Sequence, residues 1–249
     1  MLKVDELFRA GADGIGTLLT PRNNIASGRL FLLRHGETEF SRRDRFCGDI
    51  DAALTNEGLD MARSFADVHG DRPWRAIITS TRRRTMETAA PIANAAGVVP
   101  AVDARLDEIH YGDWQGQSKQ EVAARDVHRY RLWLENPSIG VPRGEPVVEV
   151  ADRAMALVAD IFQRLQEGDV LLVGHKTVLR TLICRLTGLD LRHYRKIPQP
   201  VGGITEVQLD AEPRVLRVGD ISYLPTPLRA IAQGNLIAAT TPIVQSRAA

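Results

Sequence analysis

The chain has 249 residues, 44% apolar and 25% charged, with a formal net charge of +1. This composition can bury one sizeable core, and it excludes disordered and collagen-like classes. The near-neutral balance gives no sign of a nucleic-acid or membrane-surface partner, and two cysteines, Cys47 and Cys184, are too few for a disulfide framework and lack metal-site spacing.

Residues 1–28 form an N-terminal extension ahead of the first strong strand. Val4, Leu7 and Phe8 have helical spacing, and Gly14 to Asn24 reads as loop. Asp5 and Glu6 stand where a secretion signal needs apolar residues, and no apolar run reaches membrane-spanning length. With the reduced cysteines, this points to the cytoplasm. Leu30 to Leu33 is an apolar run that suits a strand buried on both faces. It ends in Arg34-His35-Gly36-Glu37-Thr38, where Gly36 allows a sharp turn or a close approach. After the basic stretch Arg42 to Gly48, Thr55 reads as the N-cap of a helix through Leu59, Ala62, Phe65 and Ala66. Ala76 to Thr79 is a second strand, followed by Ser80 to Thr85 and a helix that stops at Gly97. Val98 to Val102 is expected as a third strand, 103–118 as an irregular segment, and Lys119 to Trp133 as one polar helix. A loop rich in Pro and Gly precedes a long amphipathic helix over Val150 to Leu165. Val170 to Val173 is a fourth strand, which ends in Gly174-His175-Lys176 and leads into an apolar helix. Strands near 204–209 and 214–218 close the pattern, and residues 225–249 form a C-terminal tail with helical spacing at Leu228, Ile231 and Ala232. Strands alternating with helices predict an α/β fold: three layers, α/β/α, around a mostly parallel sheet. No internal repeat divides residues 29–224, which read as one domain.

Two of these strands share a design, an apolar run ending in a histidine, at His35 and at His175. In a parallel sheet both ends lie on one edge, the edge where ligands bind. Arg84 falls one turn into the helix that follows another strand, where the helix dipole and free N–H groups favour an anion. Two histidines and two arginines at one edge describe a phosphate pocket with a nucleophile inside, since the planar fork of arginine suits phosphate oxygens.

Four separated motifs carry a resemblance: Arg34-His35-Gly36-Glu37-Thr38, Ser80 through Arg84 to Thr88-Ala89, Leu106-Asp107-Glu108 with Gly112-Asp113-Trp114-Gln115-Gly116, and Gly174-His175. In this order, over roughly residues 29–220, the sequence resembles the histidine phosphatase superfamily, the phosphoglycerate mutase-like proteins, in its larger branch. The resemblance implies that His35 attacks phosphorus and becomes phosphohistidine, that Arg34, Arg84 and His175 hold the phosphoryl oxygens, and that Glu108 protonates the leaving oxygen and then assists water. It implies a phosphoglycerate mutase-like fold, a small phosphorylated substrate, inorganic phosphate as product, no cofactor and no metal; a homodimer is left open. Core motifs do not separate phosphatase from cofactor-dependent mutase. Gly112-Asp113-Trp114 and the short connection from Trp133 to Pro146 favour a phosphatase that hydrolyses a small phosphate monoester, with a mutase second. A non-catalytic phospholigand binder ranks last, because it would lack His35 or Glu108.

The sequence departs from the family at two substrate-side positions. Ser41 stands where the family usually has asparagine, so a phosphate contact there is lost or bridged by water, or Ser41 is a plain loop residue. Lys176 stands where the family has a small residue or asparagine. A cation in the first turn of a helix opposes the dipole, which argues for a contact with an anionic substrate over a side chain pointing into water. Arg45 and Gly48 are further expected substrate contacts at the mouth. Trp114 is expected to anchor the Glu108 loop, His69, His128 and His193 to lie on the surface, and Gly144-Glu145 to form a cap and loop feature.

Overall fold

The side-chain alternation of one strand sets the layers. In a computed structural model describing residues 2–3, 28–164, 168–209 and 213–240, β2 spans Gly28–Arg34 and is buried almost throughout. Successive side chains of a strand point to opposite faces. Leu30 and Leu32 therefore join one apolar cluster, with Val150, Leu157 and Leu182. Phe31 and Leu33 join another, with Phe65, Ile92 and Val173. From Leu30 to Leu33 the strand is apolar at every position because helices cover both its faces.

The sheet has the order β1-β4-β3-β5-β2-β6-β7. Its strands are β1 (Leu2–Lys3), β2, β3 (Trp74–Thr79), β4 (Ala101–Val102), β5 (Asp169–Gly174), β6 (Ile204–Leu209) and β7 (Arg214–Asp220). The pairs from β1 to β2 are parallel, and β6 and β7 add antiparallel to the β2 side. The helices are α1 (Glu39–Arg42), α2 (Asn56–His69), α3 (Arg83–Ala96), α4 (Lys119–Arg125), α5 (Val127–Glu135), α6 (Val147–Arg164), α7 (Lys176–Thr187) and α8 (Thr226–Thr240). Helices α2 and α3 supply Phe65, Ala89 and Ile92 to one face of the sheet, and α6 and α7 supply Val150, Leu157, Val178 and Leu182 to the other. This is the three-layer, mostly parallel architecture expected.

Several boundaries differ for physical reasons. The third strand keeps only Ala101–Val102, because Val98 N–H turns back to Ala93 O of α3 (3.1 Å) and Pro100 has no N–H to give. The polar helix expected from Lys119 to Trp133 is two helices. Asp126 sits between them with φ −149° and receives the Arg129 N–H on its side chain at 2.9 Å, ending α4 and capping α5. The segment expected as a tail includes α8, whose Ala232 is buried with Met61 of α2, Val201 and Leu224. The helical turn read at Val4 to Phe8 lies outside the described residues. Thr55 caps α2 by accepting from Gly58 N, and Gly97 ends α3 with φ +65°, both as read. His69 is not a plain surface residue: its ring lies 4.5 Å from that of Phe65 and 6.0 Å from that of Tyr223.

Candidate active site

Strand register brings the two histidines together. Arg34 pairs with Gly174 across β2 and β5, so the next residues leave the sheet side by side. His35 N donates to Gly174 O at 3.0 Å, and the two rings lie edge to face with centroids 5.2 Å apart. Gly36 is required by packing against protein, not by a ligand: a Cβ there would sit 2.3 Å from Gly58 O at the start of α2.

Hydrogen bonding fixes both tautomers. His35 Nδ1 lies 2.7 Å from Gly36 O, and a carbonyl oxygen only accepts, so Nδ1 carries the hydrogen and Nε2 keeps its lone pair. His175 is the reverse case. Arg84 Nε donates to His175 Nδ1 at 3.1 Å, so the hydrogen of the neutral ring is on Nε2, which donates to Ser80 Oγ at 2.7 Å. Ser80 Oγ, which also accepts from Arg82 N, passes its own hydrogen to Thr85 Oγ1 at 2.8 Å, and Thr85 donates to Arg82 O at 2.7 Å. Every donor in this chain has an acceptor.

Both rings are held neutral. Burial pulls the His35 pKa well below its usual range, and the charges of Arg84 and then Arg34 add to this. Burial, then Arg84, does the same to His175. A lowered imidazole pKa means that the unfolded chain takes up protons from about pH 6.5 downward while the folded one does not. These two groups therefore leave stability intact above that pH and withdraw it as pH falls. An NMR titration of the imidazole Cε1–H signals should find His35 and His175 still neutral at pH 6. Titration of His35 or His175 near the ordinary value would refute the assignment.

Arg84 is 1% exposed. Besides Nε, its terminal nitrogens donate to Ile50 O and Gly48 O, each at 2.9 Å, which leaves one further hydrogen on each arm of the fork. Arg34 is 4% exposed and donates from Nη1 to Gln199 O at 2.8 Å. Burial and then Arg180 lower its pKa to about 10, so it stays charged at neutral pH. Glu108 is buried at the start of α7: Thr177 N lies 3.2 Å from both carboxylate oxygens, and Ile109 N donates to Oε1 at 3.0 Å. The five residues His35, His175, Arg34, Arg84 and Glu108 thus converge at the carboxyl ends of β2 and β5. Fixed positive charge, a lone-pair nitrogen and a carboxylate in one place can bind a phosphoryl group, attack it and move a proton.

The mouth residues read from sequence have partners within the protein. Ser41 closes a capping box on α1: Thr38 N donates to its Oγ at 2.9 Å, and that Oγ donates to Thr38 O at 2.9 Å. Arg45 donates to Gly116 O at 2.6 Å and to Glu121 at 3.1 Å, tying the loop after α1 to α4. Gly48, with φ +52°, offers its carbonyl to Arg84 and has no room for a Cβ, which would meet Gln115 Oε1 at 2.2 Å. The basic run is largely paired: Arg42 meets Glu37, Glu39 and Glu57, and Arg43 meets Glu39. Lys176 faces Arg34, Arg180, Lys119 and Asp44, and burial and those cations pull it down to about 7.

Sequence reasoning missed the supports. Gln199 is a buried polar residue in a loop outside every motif, and Ser80, also buried, opens the second motif but carries no expected role of its own. Glu145, read as a loop feature, pairs with Arg153 of α6 at 2.7 Å, and Arg153 also donates to Arg105 O at 2.8 Å and Glu108 O at 3.3 Å. This clamp holds the Glu108 segment against α6. Trp114 underlies the segment as expected, 2% exposed, with ring centroids 5.1 Å from Trp133 and 5.6 Å from Phe46. Among the described residues, no group of three or more His, Cys, Asp or Glu is arranged to hold a metal ion, and no helix is long and apolar enough to cross a membrane.

Comparison with known proteins places this geometry. The family model of the histidine phosphatase superfamily (branch 1) matches residues 30–220. Glucosyl-3-phosphoglycerate phosphatase of Mycolicibacterium vanbaalenii is 31% identical over 193 residues, 75% of this chain and 85% of the relative. Phosphoserine phosphatase 1 of Hydrogenobacter thermophilus is 29% identical over 167 residues, 67% of this chain and 79% of the relative. Among solved structures, a mycobacterial glucosyl-3-phosphoglycerate phosphatase in complex with VO3 superposes with a TM-score of 0.70 at 29% identity, covering 77% of this chain and 98% of the other. YhfR of Bacillus stearothermophilus superposes with a TM-score of 0.73 at 32% identity, covering 79% and 99%.

Proposed function

The chain belongs to branch 1 of the histidine phosphatase superfamily, and from that premise we propose that it hydrolyses a small phosphate monoester in two steps on His35. His35 Nε2 attacks phosphorus, the ester P–O bond breaks, and Glu108 gives its proton to the leaving oxygen. Water then attacks the phosphohistidine, Glu108 takes the proton from that water, and inorganic phosphate leaves with His35 restored. Arg34 and the two unassigned hydrogens of Arg84 neutralise the phosphoryl oxygens. His175 holds Arg84 in place through Nδ1, and its own Nε2 hydrogen reaches the phosphoryl group only on leaving Ser80. The supporting observation is the His35 tautomer: the Gly36 carbonyl fixes the hydrogen on Nδ1, which leaves an unprotonated nitrogen in a ring whose pKa burial has lowered.

Hydrolysis rather than transfer agrees with the relatives above, which carry phosphatase names. The positive charge needed for phosphoryl transfer is supplied by the arginines. Purified protein should therefore turn over p-nitrophenyl phosphate and release inorganic phosphate in excess chelator. Activity that vanishes with chelator and returns with a divalent ion would overturn the metal-independent reading. Phosphoryl transfer to a phosphoglycerate in place of phosphate release would favour a mutase.

A further inference from the structure

Lys176 and Arg180 are one turn apart on the same face of α7. Arg180 is 5% exposed, and its Nε donates to Ile197 O at 2.7 Å. Its two terminal nitrogens have no protein acceptor among the described residues. The Lys176 ammonium, on a half-buried residue, likewise has no ion pair or hydrogen bond among them. The carboxylate facing Lys176, Asp44, is held by Lys119 Nζ at 2.6 Å, and Glu108 is occupied by the backbone of α7. Three penalties meet here. A lysine in the first turn opposes the helix dipole, like charges four residues apart repel, and burial beside Arg34 desolvates both cations.

Among the described residues Asp44 offsets these penalties in part at Lys176 and Glu108 does so at Arg180; an anion would offset the rest. A phosphoryl group between Arg34 and Arg84 neutralises those two and leaves Lys176 and Arg180 in surplus. We infer that Lys176 and Arg180 form a second anion subsite beside the phosphoryl cradle, and that the substrate is a compact phosphate monoester bearing a carboxylate. The planar fork of Arg180 suits a carboxylate. Because Lys176 follows His175 directly and faces Arg34, the carboxylate lies only a few bonds from the phosphate. This subsite rests on the phosphatase reading above and gives that reaction its substrate class.

The test compares phosphoglycolate with ethyl phosphate, the same skeleton without the carboxylate, with p-nitrophenyl phosphate as a reference. The wild type should favour phosphoglycolate in kcat/KM by about tenfold or more, as a charge-assisted contact implies. Lys176→Gln and Arg180→Lys should each shrink that preference about fivefold or more, chiefly through KM for phosphoglycolate, and added salt should shrink it further. Lys176→Gln also removes a cation that opposes the dipole, so its Tm should not fall. Lys176→Glu suits a first helical turn and should invert the preference, which covers the case in which the other variants fold poorly. A wild-type preference near one, or one that Lys176→Gln leaves intact, overturns the subsite while p-nitrophenyl phosphate turnover upholds the phosphatase. Failure to hydrolyse all three esters overturns the phosphatase instead. Calorimetric binding of phosphoglycolate against ethyl phosphate then decides the subsite without turnover.

Discussion

Replacing His35 with alanine is expected to lower turnover of any phosphate ester by about 10³-fold or more, because the covalent route is lost and only charge neutralisation remains. The fold should survive. His35 ends a strand whose backbone bonds are independent of its ring, including His35 N to Gly174 O at 3.0 Å and Gly202 N to His35 O at 3.2 Å. The change deletes a 6%-exposed ring that bonds to the Gly36 carbonyl and packs against the His175 ring, so the stability cost is modest beside the kinetic one. Quenching the wild type during turnover of a ³²P-labelled ester should trap label that is lost in acid and stable in base, as expected of phosphohistidine, and His35→Ala should trap none. Residual activity within tenfold of wild type, in protein shown to be folded and free of wild-type contamination, would move the nucleophile elsewhere.

What could be read from sequence divides along a physical line. The strands that lead to His35 and His175 carry continuous apolar runs, Leu30 to Leu33 and Val170 to Val173, because these are buried on both faces, and such runs are visible without a partner. Their register follows from the parallel architecture, so convergence of the two histidines was legible. The tautomer of His175 was not. It depends on Arg84 and Ser80, which lie 91 and 95 residues away in sequence, and no local pattern encodes which of their groups will donate. Ser41 shows the same limit at short range. Thr38 and Ser41 have capping-box spacing, but a four-residue helix has too little periodicity to announce itself, and family position drew attention to phosphate instead. The basic run after His35 looks like a charged mouth until Glu37, Glu39 and Glu57 are placed around Arg42. Asp126 broke a helix because its side chain caps the next one, a competition that polar periodicity hides. Lys176 was legible as a cation in a first helical turn, whereas Arg180 and Arg34 enter beside it only through the fold.

Glu108→Gln should separate the two chemical steps. With p-nitrophenyl phosphate the leaving group needs little protonation, so the first step should run within about tenfold of the wild-type rate, while an alkyl phosphate should lose about 10²- to 10⁴-fold in that step. The second step needs Glu108 as base for every substrate. The variant should therefore release p-nitrophenol in a burst equal to the enzyme concentration and then turn over slowly, with phosphohistidine accumulating. The alkyl ester should give no burst, since its first step is already slow. The geometry gives the reason for choosing glutamine. Both oxygens of Glu108 accept from Thr177 N, and Oε1 also accepts from Ile109 N, so an amide keeps one acceptor and turns its NH2 away with little change of volume. The clamp of Glu145 and Arg153 grips the backbone at Glu108 O (3.3 Å) and the side chain of its own partner, so the segment should stay in place when the carboxylate is changed. A Tm within a few degrees of wild type checks this. Equal losses in the first step for both esters, with no burst, would assign the proton transfers to another group.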